Sequence, residues 1–235
     1  MDFADGLVAC EIVPAPGRPL PDSVLSVLPL AMRAALAELG PPPSPATLSV
    51  RILPEPSFLS RAKTLFRSEP LATQQDDSVS LRPGSDPLKL AFRLGHEFSH
   101  WLAYRHFPVR PPLWLDEGLA NFVGAAAADA CARTLSQTVE RPDPGNLSLN
   151  LFSLPQLVSL REYPRRPDQV GAFYWQAEKL VSSLRAKLGP AEFRTYLSIL
   201  CSPSPPPWDA PLRSQWYFND WDFEWLSRQI MPTPQ

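Results

Sequence analysis

Prolines divide this chain into short segments. The sequence holds 30 prolines and 10 glycines, and the prolines gather in clusters such as PAPGRPLP, GPPPSP and SPSPPPW. Because proline has a fixed φ and no backbone N–H, it belongs in turns, connectors and first helical turns rather than inside helices or central strands. Apolar periodicity resumes after each cluster, so we interpret the clusters as stiff connectors between ordered elements.

The segments between the proline clusters change character along the chain. Apolar β-branched or alternating patterns predict strands at residues 6–13, 48–53 and 78–83, the last on a sheet edge because it ends at Pro83. Helical periodicity predicts helices at residues 22–39, 57–66, 86–107, 112–133, 153–162, 168–188 and 190–200, and in parts of 208–230. Strands in the first third and helices in the rest indicate an α+β fold.

Length and charge limit the domain organisation and the partners. A chain of 235 residues can bury a core without staples, and we expect one domain with an α/β lobe at about residues 1–107 and a helical lobe at about 108–235. The net charge of -2, with no run of Lys or Arg, predicts no nucleic-acid partner and no anionic membrane surface. The pattern carries no signal for an oligomeric state.

Cysteine spacing and hydropathy exclude further classes. Cys10, Cys131 and Cys201 are widely spaced, which predicts buried apolar thiols rather than a disulfide framework or a thiolate metal site. The N-terminus lacks the basic and apolar regions of a signal peptide, and no apolar run approaches the about 20 residues of a membrane span. We therefore expect no membrane span and a cytoplasmic location.

Two histidines stand four residues apart in LGHEFSHWL, at residues 94–102. On a helix that turns about 100° per residue, His96 and His100 project within about 40° of each other, so their imidazoles can bind one ion. Glu97 lies about 100° round from His96, where it can hold a water over that ion and accept its proton. The spacing predicts a zinc site in which Glu97 is the general base.

An ordinary surface helix fits the same pattern. Opposite the histidines runs an apolar stripe of Leu90, Ala91, Leu94, Phe98, Trp101 and Leu102. On that interpretation His96, Glu97 and His100 only face solvent, and the chain is a metal-free helical interaction protein.

A catalytic zinc site needs a third protein ligand and one open position. His106 completes HEFSHWLAYRH, but it reaches the ion only if the helix breaks at Ala103, where a left-handed backbone would favour glycine. In an unbroken helix His106 lies about 15 Å along the axis from His96 and cannot bind the same ion.

The other candidate for the third ligand is Glu117, in WLDEGLANF. On its own helix Glu117 shares a face with Asn121 and Gly124, and the short connection VRPP predicts that the two helices are neighbours. Glu117 would complete a His, His, Glu site, and Asn121 would bond to a ligand imidazole or carboxylate. Alternatively, Asp116 and Glu117 are only acids favoured in a first helical turn.

HEFSH, followed by sixteen residues and then Glu117, resembles the gluzincin side of the zincin-like metallopeptidases, the peptidase MA-like group, which show a W-x-x-E-G-x-A pattern. The resemblance covers roughly residues 80–200. It implies His96, His100 and Glu117 as ligands of one Zn²⁺ ion and Glu97 as the general base. It also implies a small N-terminal sheet across the active-site helix and a mostly helical C-terminal lobe.

A looser resemblance concerns FYWQAEKLVSSLRAKLG at residues 173–189. It is similar to a Y-x-Q-S/A helix of the same family, in which a Tyr or His commonly donates a hydrogen bond to the oxyanion of the tetrahedral intermediate. The resemblance suggests Tyr174 for this role, with Tyr104, Tyr163 and His106 as substitutes. Because Tyr174 also belongs to an apolar stripe, it is alternatively a core aromatic.

These patterns together predict a zinc-dependent peptidase that cleaves peptide or protein substrates, with endopeptidase activity favoured. The alternative is a non-catalytic zincin-like module that keeps zinc for stability or serves as a binding scaffold.

Overall fold

A computed structural model describes residues 1–53, 72–75, 77–82, 86–139 and 150–232. The helix predicted at residues 57–66 lies outside this range. Contacts divide the chain into two compact units, residues 1–102 with 123–139 and residues 103–122 with 140–235.

The first unit contains a five-stranded mixed sheet. Its strands are β1 (Asp2–Phe3), β2 (Val8–Val13), β3 (Ala46–Ile52), β4 (Ala72–Gln75) and β5 (Ser78–Leu81), in the order β1-β2-β3-β5-β4. The three central strands run parallel, and β1 and β4 add antiparallel edges. Alternate residues of the central strands, such as Val8, Val50 and Val79, are fully buried, as expected where one face of a sheet covers a core.

The structure corrects the prediction for residues 78–83. β5 is not an edge strand, because β3 pairs with it on one side and β4 on the other. β5 ends at Leu81, two residues before Pro83 in the sequence, so the strand itself contains no proline. The edge is formed by β4, which reads ATQQ and lacks the apolar alternation that would have predicted a strand.

Eight helices follow from the remaining periodic segments of the described residues. They are α1 (Asp22–Leu39), α2 (Pro87–His106), α3 (Leu113–Leu135), α4 (Leu154–Ser159), α5 (Pro167–Leu188), α6 (Pro190–Leu200), α7 (Ala210–Gln215) and α8 (Asp220–Gln229). α1 ends at Gly40, whose φ of 81° suits a glycine. α2 begins after Asp86, whose Oδ1 accepts hydrogen bonds from the N–H groups of Leu88 and Lys89 at 2.9 and 3.2 Å.

The regular elements among the described residues of the second unit are all helices, and α2 and α3 each run from one unit into the other. Its core includes Phe173, Leu180, Tyr196 and Leu212, all fully buried. The predicted α+β fold, with a small mixed sheet followed by helices, is confirmed. No helix among the described residues combines the length and the hydropathy that a bilayer crossing requires.

Candidate metal centre

The helix α2 carries the histidine pair. All six residues of the predicted apolar stripe, Leu90, Ala91, Leu94, Phe98, Trp101 and Leu102, are at most 1% exposed. On the other side His96 and Glu97 are half-buried, and His100 is buried. The amphipathic pattern therefore places the stripe and the pair as the sequence predicts.

The two imidazoles face each other across one helical turn. The Nε2 atoms of His96 and His100 lie 3.2 Å apart, and the rings meet edge to face with centroids 4.8 Å apart. Phe92, one turn earlier, stacks on His96 with centroids at 6.3 Å. Two nitrogens that each bind a zinc ion at about 2.0–2.1 Å with tetrahedral angles stand about 3.3 Å apart, so this spacing fits a shared ion.

Glycines let α2 and α3 approach closely beside His96. A Cβ on Gly95 would lie 2.8 Å from Cβ of Ala127 and 3.1 Å from Cα of Gly124. A Cβ on Gly124 would lie 2.7 Å from the carbonyl oxygen of Phe92. Side chains at either position would separate the two helices, which explains why LGHEF and FVGAA each carry a glycine.

The carboxylate candidate, Glu117, lies near the start of α3 and is only 4% exposed. The next residue, Gly118, is pressed against α5, because a Cβ there would lie 2.4 Å from the carbonyl oxygen of Ala177. The hydroxyl of Tyr163 donates a hydrogen bond to Oε1 of Glu117. Glu117 is therefore a buried carboxylate fixed by its surroundings and not an exposed first-turn acid.

The burial of α3 is not confined to one face of the helix. Glu117 and Asn121 are buried, and so are Leu115 and Leu119 on the other side of the helix. Helix α3 is packed around most of its circumference, so the face with the acid is not the solvent face.

Asn121, one turn after Glu117 on α3, links this helix to Tyr174 of α5 within the second unit. The side chain of Asn121 donates from Nδ2 to the backbone oxygen of Tyr174 at 3.3 Å. The ring of Tyr174 lies 6.4 Å from that of Tyr163, the residue whose hydroxyl binds Glu117. Tyr174 is half-buried, in contrast to Phe173, the fully buried aromatic beside it.

The three predicted ligands come together. His96, His100 and Glu117 each offer one ligand atom, and these atoms all lie within 4.8 Å of one another. Two imidazole nitrogens and one carboxylate oxygen form a donor set that suits Zn²⁺, and three protein ligands leave a position for water or substrate. The residues therefore fit a catalytic zinc ion.

His106 does not join this group. Helix α2 is unbroken to His106, so the backbone change at Ala103 that His106 would need does not occur. The ring of His106 lies 6.0 Å from that of Phe107. Ten residues of continuous helix place His106 about 15 Å along the axis from His96, which removes it as a third ligand.

Tyr104 is engaged elsewhere. Its hydroxyl donates to Oδ2 of Asp116 at 3.0 Å, and the guanidinium of Arg110 lies over its ring, 4.3 Å from the centroid. Burial raises the pKa of Tyr104, and the negative charge of Asp116 raises it further. Tyr163 shows the same trend, because burial and its bond to Glu117 raise the pKa of its hydroxyl.

The sequence patterns include Gly118 and Gln176 in the quoted motifs but assign them no role, and they assign Tyr163 no role at Glu117. Gln176 is fully buried on α5, donates from Nε2 to the backbone oxygens of Phe152 and Ile230, and accepts from the N–H of Phe152, at 2.8–3.0 Å. Its place as the Q of the Y-x-Q-S/A motif is the signal that could have identified it, and a buried amide needs the partners found here.

No family model matches the sequence, and no curated protein matches it. Among solved structures the chain is similar to an M1 zinc metallopeptidase from Deinococcus radiodurans, at 16% identity and a TM-score of 0.49, over 96% of this chain and 48% of that one. A variant of an M1 zinc metallopeptidase from the same organism is similar at 17% identity and a TM-score of 0.48, over 96% of this chain and 49% of that one. The chain thus spans about half the length of these structures.

Proposed function

We propose that the chain is a zinc-dependent peptidase of the zincin-like, gluzincin type. The observation that supports the proposal is the gathering of His96, His100 and Glu117 around a point that can hold one ion. The three arise from two separate sequence patterns, HEFSH and WLDEG, so their convergence is not a consequence of helical periodicity alone.

His96, His100 and Glu117 would hold the ion, and the open position would take water. When bound there, zinc would lower the pKa of that water toward about 7 and polarise the carbonyl of the substrate. Glu97 precedes the second histidine on the half-buried side of α2. We assign it to accept the proton of the attacking water and to deliver it to the leaving amine.

Tyr174 is the proposed donor to the oxyanion. The hydroxyl of Tyr104 donates to Asp116, and that of Tyr163 donates to Glu117. Tyr174 lies beside Tyr163, is half-buried, and is the tyrosine that the family resemblance indicates for this role. One oxyanion donor contributes about 100–1000-fold to kcat in comparable enzymes. Asn121 would support this side of the site through its bond to the backbone of Tyr174.

Metal analysis and two variants test the proposal. Purified protein should hold one zinc per chain, and His96→Ala should lose it. The matched control is His106→Ala, which removes a histidine from the same helix but outside the ligand group and should retain zinc. Zinc retained by His96→Ala would contradict the assigned site.

Glu97→Gln separates catalysis from metal binding. It should keep zinc, and its cleavage of a mixed peptide library should fall by about 100–10,000-fold, which is the contribution of general-base catalysis. Wild-type protein that holds zinc but cleaves no better than Glu97→Gln would instead be a non-catalytic zinc module. Cleavage within long peptides, rather than release of single terminal residues, would support endopeptidase activity.

A further inference from the structure

The side chain of Tyr163 bridges an exposed connection and a buried carboxylate. Tyr163 lies between α4 and α5, and the residue is 51% exposed. Its hydroxyl nevertheless donates to Oε1 of Glu117, which is 4% exposed. The phenol thus reaches from the surface of the second unit to the one acid among the three candidate ligands.

Two aromatic residues of α5 fix the direction of that phenol. The ring of Tyr163 meets the buried ring of Phe173 edge to face, with centroids 6.3 Å apart. It lies 6.4 Å from the ring of Tyr174, tilted by 36°. Such pairs favour particular arrangements of the rings, which helps to hold the hydroxyl of Tyr163 at Glu117.

A ligating carboxylate binds well only if it is already correctly oriented. A hydrogen bond donated to one of its oxygens restricts its rotamer. Residues that hold metal ligands in this way affect metal affinity strongly, although they never touch the ion.

We propose that Tyr163 is a positioning residue for the metal centre: its hydroxyl holds the carboxylate of Glu117 in the orientation from which Glu117 binds the ion. This inference rests on the proposed function, because it requires Glu117 to be a zinc ligand. It assigns Tyr163 a role different from that of an oxyanion donor, since its proton is committed to Glu117.

Zinc affinity measured by competition with a chromophoric chelator tests the proposal. Tyr163→Phe keeps the ring and removes only the hydroxyl, and it should weaken zinc binding by about 10–100-fold. Tyr174→Phe removes a neighbouring hydroxyl and should leave zinc affinity unchanged while lowering kcat. Tyr217→Phe, at a residue that is 83% exposed, controls for the loss of any tyrosine hydroxyl.

A double-variant cycle with Glu117→Gln shows whether Tyr163 acts through Glu117. If it does, Tyr163→Phe should weaken zinc binding in the wild-type background and have little further effect in the Glu117→Gln background. At saturating zinc, Tyr163→Phe should recover most of the wild-type kcat. A merely structural role would lower the melting temperature of the metal-free protein in both backgrounds without this dependence on Glu117.

The outcomes are distinguishable from failure of the proposed function. If wild-type protein binds no zinc, the proposed function fails, and the positioning role fails with it. If wild-type protein binds zinc and Tyr163→Phe binds it equally well, the positioning role alone is overturned. The same conclusion follows if Tyr163→Phe keeps its zinc affinity but loses kcat at saturating zinc, which would make Tyr163 the oxyanion donor.

Discussion

The histidine turn, His96 to His100 of α2, and the carboxylate turn, Glu117 to Asn121 of α3, reach their geometry by different means. Helical periodicity alone brings the two imidazoles together, since residues four apart lie on one face. Their Nε2 atoms stand 3.2 Å apart within a single element. Glu117, by contrast, is held by residues distant in sequence, among them Tyr163, whose hydroxyl binds its carboxylate.

The difference shows in burial and in backbone packing. His96 remains half-buried, whereas Glu117 and Asn121 are buried. Gly118, within the carboxylate turn, contacts a backbone carbonyl of α5 that cannot move aside easily. The proposed metal site would therefore combine a local half, which the helix supplies, with a half that only the tertiary fold supplies. Variants should affect the two halves differently.

Zinc itself should give the largest effect. A ligand that binds only the folded state stabilises it by about 4 kcal/mol when its free concentration is 1000 times Kd. Thermal or denaturant unfolding with and without zinc should show this gain for wild-type protein and its complete loss for His100→Ala. A partial loss of this stability gain for Tyr163→Phe would show that Glu117 still contributes to zinc binding, but more weakly. An equal gain for wild type and His100→Ala would contradict the histidine half of the site.

Gln176→Leu should be the most destabilising change outside the ligands. It removes the amide that binds the N–H and carbonyl of half-buried Phe152 and the carbonyl of buried Ile230, and it leaves these groups without that partner. We expect a loss of about 3 kcal/mol in the free energy of unfolding, because each abandoned buried group costs about 1–3 kcal/mol. The control is Gln215→Leu, at an exposed position at the end of α7. Equal stability of the two variants would show that α5 does not depend on this amide.

Gly118→Ala and Gly95→Ala compare the two halves directly. The added methyl at residue 118 would lie 2.4 Å from a backbone oxygen, whereas at residue 95 the nearest atom is a side-chain methyl at 2.8 Å. Overpacking costs about 1–3 kcal/mol, and we expect Gly118→Ala near the upper value and Gly95→Ala below it. Denaturant unfolding measures both. A larger loss for Gly95→Ala would reverse the comparison and make the histidine turn the more tightly packed half.

The histidine half and most helices could be predicted from the sequence because both depend on local periodicity. Helix α1 was predicted with its observed bounds, and the stripe of α2 is buried as expected. The strand β4 was missed because its existence depends on pairing with β5 and not on its own residues. The same limit applies to Tyr163, since nothing near residue 163 in the sequence indicates a bond to Glu117.

The smallest predicted effect compares the two units in which the turns lie. Cys10 belongs to the first unit and Cys201 to the second, and burial raises the pKa of each thiol from 9.0 to about 12. A group whose pKa is raised by folding stabilises the folded state fully below its unfolded pKa and loses that contribution as pH rises toward the folded value. For each thiol, the free energy of unfolding should therefore fall by about 1 kcal/mol between pH 8 and pH 10.

Cys10→Ala and Cys201→Ala should each flatten this decline in the free energy of unfolding by a similar amount. Urea unfolding at pH 8, 9 and 10 under reducing conditions measures the slope for each variant. The range stops at pH 10 because Tyr104 and Tyr163, whose pKa values are also raised, begin to contribute above it. If only one variant flattens the decline, the thiol of the other unit becomes ionised without unfolding. The two units would then differ in how well they exclude water from their buried thiols between pH 8 and pH 10.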